Sequence, residues 1–112
     1  MSIPVFNIRV YGLLIHNSQI LIAEQLYRNT LLRKFPGGGL IFGEGLIDCV
    51  KREFMEELNL SIEVTEHFYT TDFFVESMFR QQNQVISVYY KVKPLKENEL
   101  PVFIYKGLPA KD

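Results

Sequence analysis

The chain has 112 residues, a formal net charge of -1, 47% hydrophobic residues and one cysteine. This length suits one domain with a buried core, so we expect a single domain over residues 1–112. A charge so close to zero argues against a nucleic-acid polymer as partner, because such binders usually carry a strong basic surplus. No segment approaches about 18 continuous apolar residues. With no export signal evident at the N-terminus, we expect no membrane partner and a cytoplasmic location.

The hydrophobic periodicity predicts several strands and one helix, the pattern of an α+β fold. In chain order we predict a strand at Val5–Ile15, a turn at 16–19, a returning strand at Ile20–Ala23, a polar basic loop at Tyr27–Lys34, a helix at Leu46–Leu58, strand-rich sequence at Ser61–Phe74, a polar loop at Val75–Gln84 and a strand at Val85–Val92.

The predicted helix has an apolar face and, beside it, an acidic face. Its apolar stripe, expected to pack on a sheet, consists of Leu46, Ile47, Val50, Phe54 and Leu58. Glu53, Glu56 and Glu57 share the neighbouring arc, because positions three and four apart lie on one helical face. Such carboxylates repel one another, and hard divalent cations with oxygen ligands offset that repulsion. The alternative is a solvated helix face with Lys51 and Arg52 as salt-bridge partners.

Two positions bound this helix, and a third lies within it. Gly45 is the predicted N-cap, where Ser or Thr would cap more strongly. Asn59 is the residue expected in the left-handed conformation just past the helix, since Asn tolerates it next best after Gly. Cys49, the only cysteine, cannot form an intrachain disulfide, and burial is its default.

The spacing around the helix is specific. Gly38 is followed after five residues by Glu44, after seven more by Arg52-Glu53, and then by Glu56-Glu57. With Gly, Glu and Arg each at roughly 5–7% per position, six such identities coincide on the order of once in ten million windows. The run from Gly38 to Leu60 resembles the Nudix box, the signature of hydrolases acting on nucleoside diphosphates linked to another moiety X. It departs from the box only at Asn59, where the family has Gly.

The resemblance implies a Nudix fold, an α/β/α sandwich around a mixed β-sheet, over residues of about 3 to 95. Family domains commonly finish with another helix, whereas the sequence after Pro94 shows no helical stripe, and Val102 to Tyr105 could form at best a short strand. Either this is a minimal member without that helix, or a partner subunit covers the surface. Because monomers seldom expose large apolar patches, we predict a homodimer.

The resemblance also implies roles for individual residues. Glu53, Glu56 and Glu57 become metal ligands or general base, Glu44 supports the metal shell, and Arg52 orients a carboxylate. The backbone carbonyl of Gly38 is a further candidate metal ligand, although an ordinary turn would also explain this glycine. The cofactor is Mg²⁺, with Mn²⁺ an alternative. A glutamate outside the box is common in the family, and the candidates here are Glu76, Glu97 and Glu99.

Substrate contacts are less determined by the sequence. Candidate phosphate-binding residues are Arg9, Arg28, Arg33 and Lys34, with solvated surface as the alternative for each. A stacking wall for a base could come from Phe68, Tyr69, Phe73 and Phe74. We expect at least two of these four to lie in the sheet core instead.

The expected function is Mg²⁺-dependent hydrolysis of the diphosphate linkage of a nucleoside diphosphate linked to X, with a small nucleotide derivative as partner. The alternative is a nucleotide-sensing module without catalysis, although such modules typically lose box carboxylates and this chain keeps them all. An isomerase of the isopentenyl diphosphate type needs a catalytic cysteine outside the helix, and Cys49 lies on it. The identity of X is not encoded in the box.

Overall fold

The computed structural model describes residues 3–78 and 80–99. Its strands are β1 (Val5–His16), β2 (Gln19–Ile20), β3 (Ala23–Tyr27), β4 (Thr30–Lys34), β5 (Gly37–Gly39), β6 (Ile62–Thr70) and β7 (Asn83–Pro94). The helix α1 spans Leu46–Leu58, and a short 3₁₀ turn covers Glu97–Glu99. None of the described helices has the length and apolar character needed to cross a membrane.

A mixed sheet forms the body of the fold, with strand order β2-β1-β7-β6 and β5 paired to β1. The central pair, β1 and β7, is parallel and runs from Val5 opposite Asn83 to Leu14 opposite Val92. The remaining pairs in the sheet are antiparallel. The predicted α+β class with a mixed sheet is therefore confirmed.

The core lies between α1 and one face of this sheet. Val50 and Phe54 of α1 are fully buried, as are Val10 and Leu14 of β1. Burial of each such side chain contributes roughly 1.5–3 kcal/mol. A Cβ at Gly12 would lie 2.4 Å from Cε1 of Phe54, so glycine lets the helix approach β1 this closely.

The predicted bounds of α1 are confirmed at both ends. The helix spans Leu46–Leu58, Gly45 is its N-cap, and Asn59 adopts the left-handed conformation with φ 51° and ψ 40°. The backbone N–H of Asn59 donates to the carbonyl of Met55 at 3.0 Å, which satisfies one of the last helical acceptors. Cys49 is buried as expected.

The loop predicted for Tyr27–Lys34 is wrong. These residues belong to a separate two-stranded hairpin, β3–β4, in which Tyr27 pairs with Thr30 and Ala23 with Lys34. Arg28 and Asn29 form its turn with φ of 49° and 65°, the left-handed backbone that matches the twist of a tight hairpin. The hydrophobic alternation that marks a strand is weak here because the hairpin is separate from the main sheet and buries no apolar face. Its Leu26 and Leu31 are exposed.

Other sequence predictions also need correction. The strand expected at Ile20–Ala23 is divided between β2 and β3, and the strand region expected to reach Phe74 ends at Thr70. Ile47 is 44% exposed and so does not belong to the buried stripe. The four aromatic residues expected to place at least two side chains in the core are all exposed: Phe68, Tyr69, Phe73 and Phe74.

Among the described residues α1 is the only α-helix, so the structure shows one helical layer of the predicted sandwich. The expectation for Val102–Tyr105 lies outside the described residues.

The left-handed cap yields a stability prediction. Asn59→Gly should hold or slightly raise the free energy of unfolding, by no more than about 1 kcal/mol, because Gly adopts this conformation without strain, and this gain is partly offset by the greater entropy of Gly in the unfolded chain. Asn59→Val is the matched control and should destabilise by about 1–2 kcal/mol, since a β-branched residue is strained there. Urea denaturation measures both. A clear loss with Asn59→Gly would show that contacts of the Asn59 side chain, rather than its backbone, stabilise the helix end.

Candidate active site

The candidate site forms where α1 passes over β5. A Cβ at Gly38 would lie 2.6 Å from the carboxylate carbon of Glu53, so the missing side chain makes room for this carboxylate against the strand. The backbone N–H of Gly37 donates to Oε1 of Glu57 at 3.4 Å. Two carboxylates of the helix therefore lie directly against the glycine strand.

Arg52 lies at the centre of the acidic cluster. Its Nη2 donates to Oε1 of Glu44 at 2.7 Å, and its Nε to Oε2 of the same carboxylate at 3.0 Å. Its Nη1 donates to Oε2 of Glu53 at 2.9 Å and to both oxygens of Glu56 at 3.2 Å. Its Nη2 also donates to the carbonyl of Gly39 at 3.0 Å. One guanidinium thus gathers three carboxylates and joins α1 to the end of β5.

The carboxylate of Glu44 accepts hydrogen bonds from two partners, the Arg52 side chain and the backbone N–H of Ile41. Hydrogen bonds from Arg52 and from the backbone N–H of Ile41 lower the pKa of Glu44 to about 2. Contacts with Glu44 and the other glutamates in turn raise the pKa of Arg52. Glu44 and Arg52 therefore stay oppositely charged at neutral pH.

Glu57 has a different environment. Its burial raises its pKa, and the negative charge of Glu53 adds to this effect, while Lys34 acts in the opposite direction. Lys34 Nζ lies 3.4 Å from Oε2 of Glu57 and donates to the carbonyl of Gly37 at 2.9 Å. Lys34 therefore links the end of the β3–β4 hairpin to the carboxylates.

The residues present are compatible with a divalent cation, although they are not arranged around one. Within residues 3–78 and 80–99, no group of three His, Cys, Asp or Glu side chains converges on a common metal position. The four glutamates and the two basic residues Arg52 and Lys34 leave a formal charge of -2 in the cluster. The donors are carboxylate and carbonyl oxygens, which hard divalent cations prefer. Glu56 has the most exposed side chain of the four glutamates, at 58%.

The predicted phosphate-binding residues lie in different surroundings. Lys34 contacts Glu57. Arg9 lies opposite Gly39 on β1, and its side chain turns to Tyr11, with Nε donating to the Tyr11 hydroxyl at 3.2 Å. Arg33 forms an ion pair with Glu24, and its side chain is 72% exposed. Arg28 lies at the turn of the hairpin over the Tyr27 ring, at the end opposite Lys34. The structure therefore brings Lys34 to the cluster, directs the Arg9 side chain to Tyr11, pairs Arg33 with Glu24 and leaves Arg28 at the far end of the hairpin.

The candidate glutamates outside the box lie elsewhere. Glu76 accepts a hydrogen bond from the backbone N–H of Gln82 at 3.1 Å and lines a separate cavity with Phe6 and Phe74. Glu97 and Glu99 lie on the exposed 3₁₀ turn after β7.

Cys49 is buried beneath the cluster, with Sγ 3.6 Å from the carbonyl oxygen of Gly39. Burial, with a contribution from Glu44, raises its pKa to about 11. A thiol with this pKa is a poor nucleophile at neutral pH.

An aromatic cavity next to Lys34 was not predicted from the sequence. Its lining includes Tyr11, Phe35 and Tyr89, and its volume is about 300 Å³. Strand aromatics are ordinarily assigned to the core. The alternation of β1 and β7 was the available signal, because it places Tyr11 and Tyr89 away from the face that packs on α1.

This protein is similar in sequence and in fold to known proteins. The NUDIX domain family model matches residues 6–104. Among solved structures, the chain is similar to the E. coli ORF135 protein, with 20% identity and a TM-score of 0.68, over 80% of this chain and 61% of that one. It is also similar to a Nudix hydrolase from Nitrosomonas europaea, with 18% identity and a TM-score of 0.70, over 89% of this chain and 67% of that one.

A third similar structure is an ADP-ribose pyrophosphatase from Streptococcus suis, with 20% identity and a TM-score of 0.63, over 80% of this chain and 61% of that one. The chain thus spans between 61% and 67% of the length of these three proteins. At identities this low, the structural similarity establishes a shared fold. No curated protein sequence matches this chain significantly. Because the family model covers almost the whole chain and the described fold agrees with it, this protein belongs to the Nudix family.

Proposed function

We propose that this protein is a Mg²⁺-dependent hydrolase that cleaves the diphosphate linkage of a nucleoside diphosphate linked to another moiety X. The observation that carries the proposal is the cluster of Glu44, Glu53 and Glu56 around Arg52, with Glu57 beside it against β5. Mn²⁺ is the alternative cofactor, since it accepts the same oxygen ligands.

In this proposal, Glu53, Glu56 and Glu57 hold the cation, with the carbonyl of Gly38 as a further ligand. When bound, the cation neutralises charge on the phosphoryl oxygens and lowers the pKa of an attacking water. One of the three glutamates accepts the proton of that water. Glu44 acts through Arg52, which keeps Glu53 and Glu56 in place.

Lys34, and Arg9 on the neighbouring strand, are the predicted basic residues best suited to contact the phosphates. Lys34 lies beside Glu57, and Arg9 lies beside Gly39. The similar protein from Streptococcus suis is described as acting on ADP-ribose. A panel for this chain should therefore include ADP-ribose, nucleotide sugars, dinucleoside polyphosphates and oxidised nucleotides.

A nucleotide-sensing module without catalysis is the second candidate. It is favoured by one observation: the guanidinium of Arg52 occupies the centre of the carboxylates. In that case the protein would bind nucleotides without cleaving them.

Glutamine substitutions distinguish the two candidates. Glu56→Gln and Glu57→Gln keep the side-chain shape and remove charge from the cation site, so each should lower kcat at least about 100-fold and weaken Mg²⁺ binding. The fold should survive or gain stability from relieved repulsion. Phosphate release from the best panel substrate measures kcat, and calorimetry measures Mg²⁺ affinity.

Glu97→Gln, on the exposed 3₁₀ turn, is the matched control and should behave as wild type. Box variants as active as wild type would contradict the hydrolase proposal. So would activity that persists in excess EDTA, or a wild-type chain that binds nucleotides tightly and cleaves none.

The glycines of β5 offer a second, paired test. Gly38→Ala places a methyl group against the Glu53 carboxylate, 2.6 Å from its nearest atom, whereas Gly39→Ala meets only Nη1 of Arg9 at 3.5 Å. Because the Glu53 carboxylate can move aside, we expect Gly38→Ala to fold and to lose activity by about tenfold or more. Gly39→Ala should remain within about threefold of wild type. Equal activities in the two variants would show that the position of Glu53 against β5 is not used in catalysis.

We further propose that the chain acts as a single cytoplasmic domain in a homodimer. The support is apolar exposure on the described residues: Ile15 and Phe68 are each 56% exposed on strands of the main sheet. Light scattering at micromolar concentration should report twice the chain mass of 13.1 kDa. A single 13.1 kDa species would contradict the dimer.

A further inference from the structure

One end of the main sheet carries exposed aromatic rings around a cavity. At this end β1 begins with Val5, which lies opposite Asn83 at the start of β7. Phe6 of β1 and Phe74, in the segment before β7, are 69% and 68% exposed, and both line a cavity of about 210 Å³. Exposed apolar groups that lie together in this way mark an interaction surface.

The loop between β5 and α1 presents a further ring at the same end of the sheet. β5 is antiparallel to β1, and the N–H of Leu40 donates to the carbonyl of Ile8 at 2.9 Å. This direction carries the chain toward Phe6, and Phe42 follows two residues after Leu40. Phe42 is the most exposed large apolar side chain among the described residues. The register of β5 on β1 therefore places a protruding ring at the end of the sheet that carries the cavity.

Hydrogen bonds fix the loop that carries Phe42. The N–H of Ile41 donates to Oε1 of Glu44 at 3.0 Å, and the N–H of Glu44 donates to the carbonyl of Ile41 at 3.1 Å. Gly43 has a φ of 97°, which glycine adopts without strain. Arg52 binds Glu44 from α1. A ring on an ordered loop loses little conformational entropy on association, so it suits the role of an anchor in an interface.

The exposed area at this end is close to what a stable interface requires. Phe6, Phe42 and Phe74 together expose the equivalent of about two and a half phenylalanine side chains, or roughly 350–600 Å². Ile3 and Met78, next in sequence to this region, are each more than three quarters exposed. The total approaches the surface of about 800 Å² that each partner buries in an interface of standard size. Three amide side chains also line the cavity and form a polar rim: Gln82, Asn83 and Gln84.

A second copy of this chain is the partner that fits this surface. A dimer with a two-fold axis brings the same surface of both copies together, so that surface must offer both a projection and a recess. Phe42 is the projection, and the cavity between Phe6 and Phe74 is the recess. We propose that the chain dimerises through this end of the sheet, with Phe42 of each copy inserted into the cavity of the other. The proposal rests on the homodimer of the proposed function and assigns its interface.

The sheet face turned away from α1 is the rival interface. Its exposed Ile15 and Phe68 line a cavity of about 480 Å³, which shares Phe35 and Tyr89 with the cavity next to Lys34. A second copy on this face would cover the approach to the carboxylate cluster from the side of Lys34. An interface at the end of the sheet leaves that approach open.

Single substitutions test the projection and the recess separately. Phe42→Ser and Phe74→Ser should each raise the dimer dissociation constant at least about tenfold, because each removes a ring from the centre of the interface. Sedimentation equilibrium of the full chain measures this constant. Both side chains are exposed, so both variants should keep the far-UV circular dichroism and the urea midpoint of wild type. If Phe74→Ser does not fold, Phe6→Ser replaces it.

Phe68→Ser is the matched control. It removes an exposed ring from the rival surface and should keep the wild-type dissociation constant.

An equimolar mixture of Phe42→Ser and Phe74→Ser tests whether the insertion is reciprocal. Neither variant alone forms an intact pair of ring and cavity, because one lacks the projection and the other lacks part of the recess. Their heterodimer keeps one intact pair, formed by Phe42 of one variant and the cavity of the other. The mixture should therefore contain dimers at concentrations where each variant alone is monomeric, and a fluorescent label on one variant reports them.

Three results would overturn the proposal: a wild-type dissociation constant in both Phe42→Ser and Phe74→Ser, a weakened dimer in Phe68→Ser, or a mixture that associates no better than its components. A wild-type chain that is monomeric would reject this interface together with the homodimer, and Mg²⁺-dependent phosphate release by that monomer would retain the hydrolase. A wild-type dimer that Phe42→Ser leaves intact would reject the interface alone.

Discussion

The contact of Arg52 with three carboxylates is the interaction on which the candidate site depends. Glu53 and Glu56 share one face of α1, and Glu44 approaches from the loop before it. Without the positive charge of Arg52 among them, these carboxylates would repel one another and turn outward to solvent. Arg52 suits this position because its planar guanidinium has five donors and stays charged at any physiological pH. The same side chain also binds the carbonyl of Gly39, so it ties together the loop, the helix and β5.

Close backbone approach is the second constraint. Gly12 leaves space for the Phe54 ring, and Gly38 leaves space for the Glu53 carboxylate. The first glycine sets the distance of α1 from the sheet, and the second places the acidic face of α1 on the strand. A side chain at Gly12 would meet a fully buried ring that cannot move aside, whereas one at Gly38 would meet a carboxylate that can. The core and the candidate site therefore depend on the same close approach of helix and sheet, but a side chain is tolerated less well at Gly12 than at Gly38.

The two faces of the sheet serve different purposes. One face is covered by Val50 and Phe54 of α1 and forms the core. The opposite face carries the Tyr11–Tyr89 stack and the two cavities that share Phe35 and Tyr89. Because β1 contributes residues to both faces and its Tyr11 lies opposite Gly37, one strand connects the core, the carboxylate cluster and the Tyr11–Tyr89 stack.

The sequence alone determined the features that depend on local spacing. The bounds of α1, the left-handed Asn59 and the common face of Glu53, Glu56 and Glu57 follow from helical geometry within a few residues, and the box spacing identified the family. Only the tertiary structure decided what depends on contacts between distant segments. In the folded chain Glu44 binds Arg52, and Lys34 lies beside Glu57. Arg28 lies at the tip of a hairpin, away from these carboxylates. Tyr11 pairs with Tyr89 across β1 and β7. The physical reason is that the register of β1 on β7 and the distance of α1 from β5 are set by packing across the chain, which no local pattern of residues specifies.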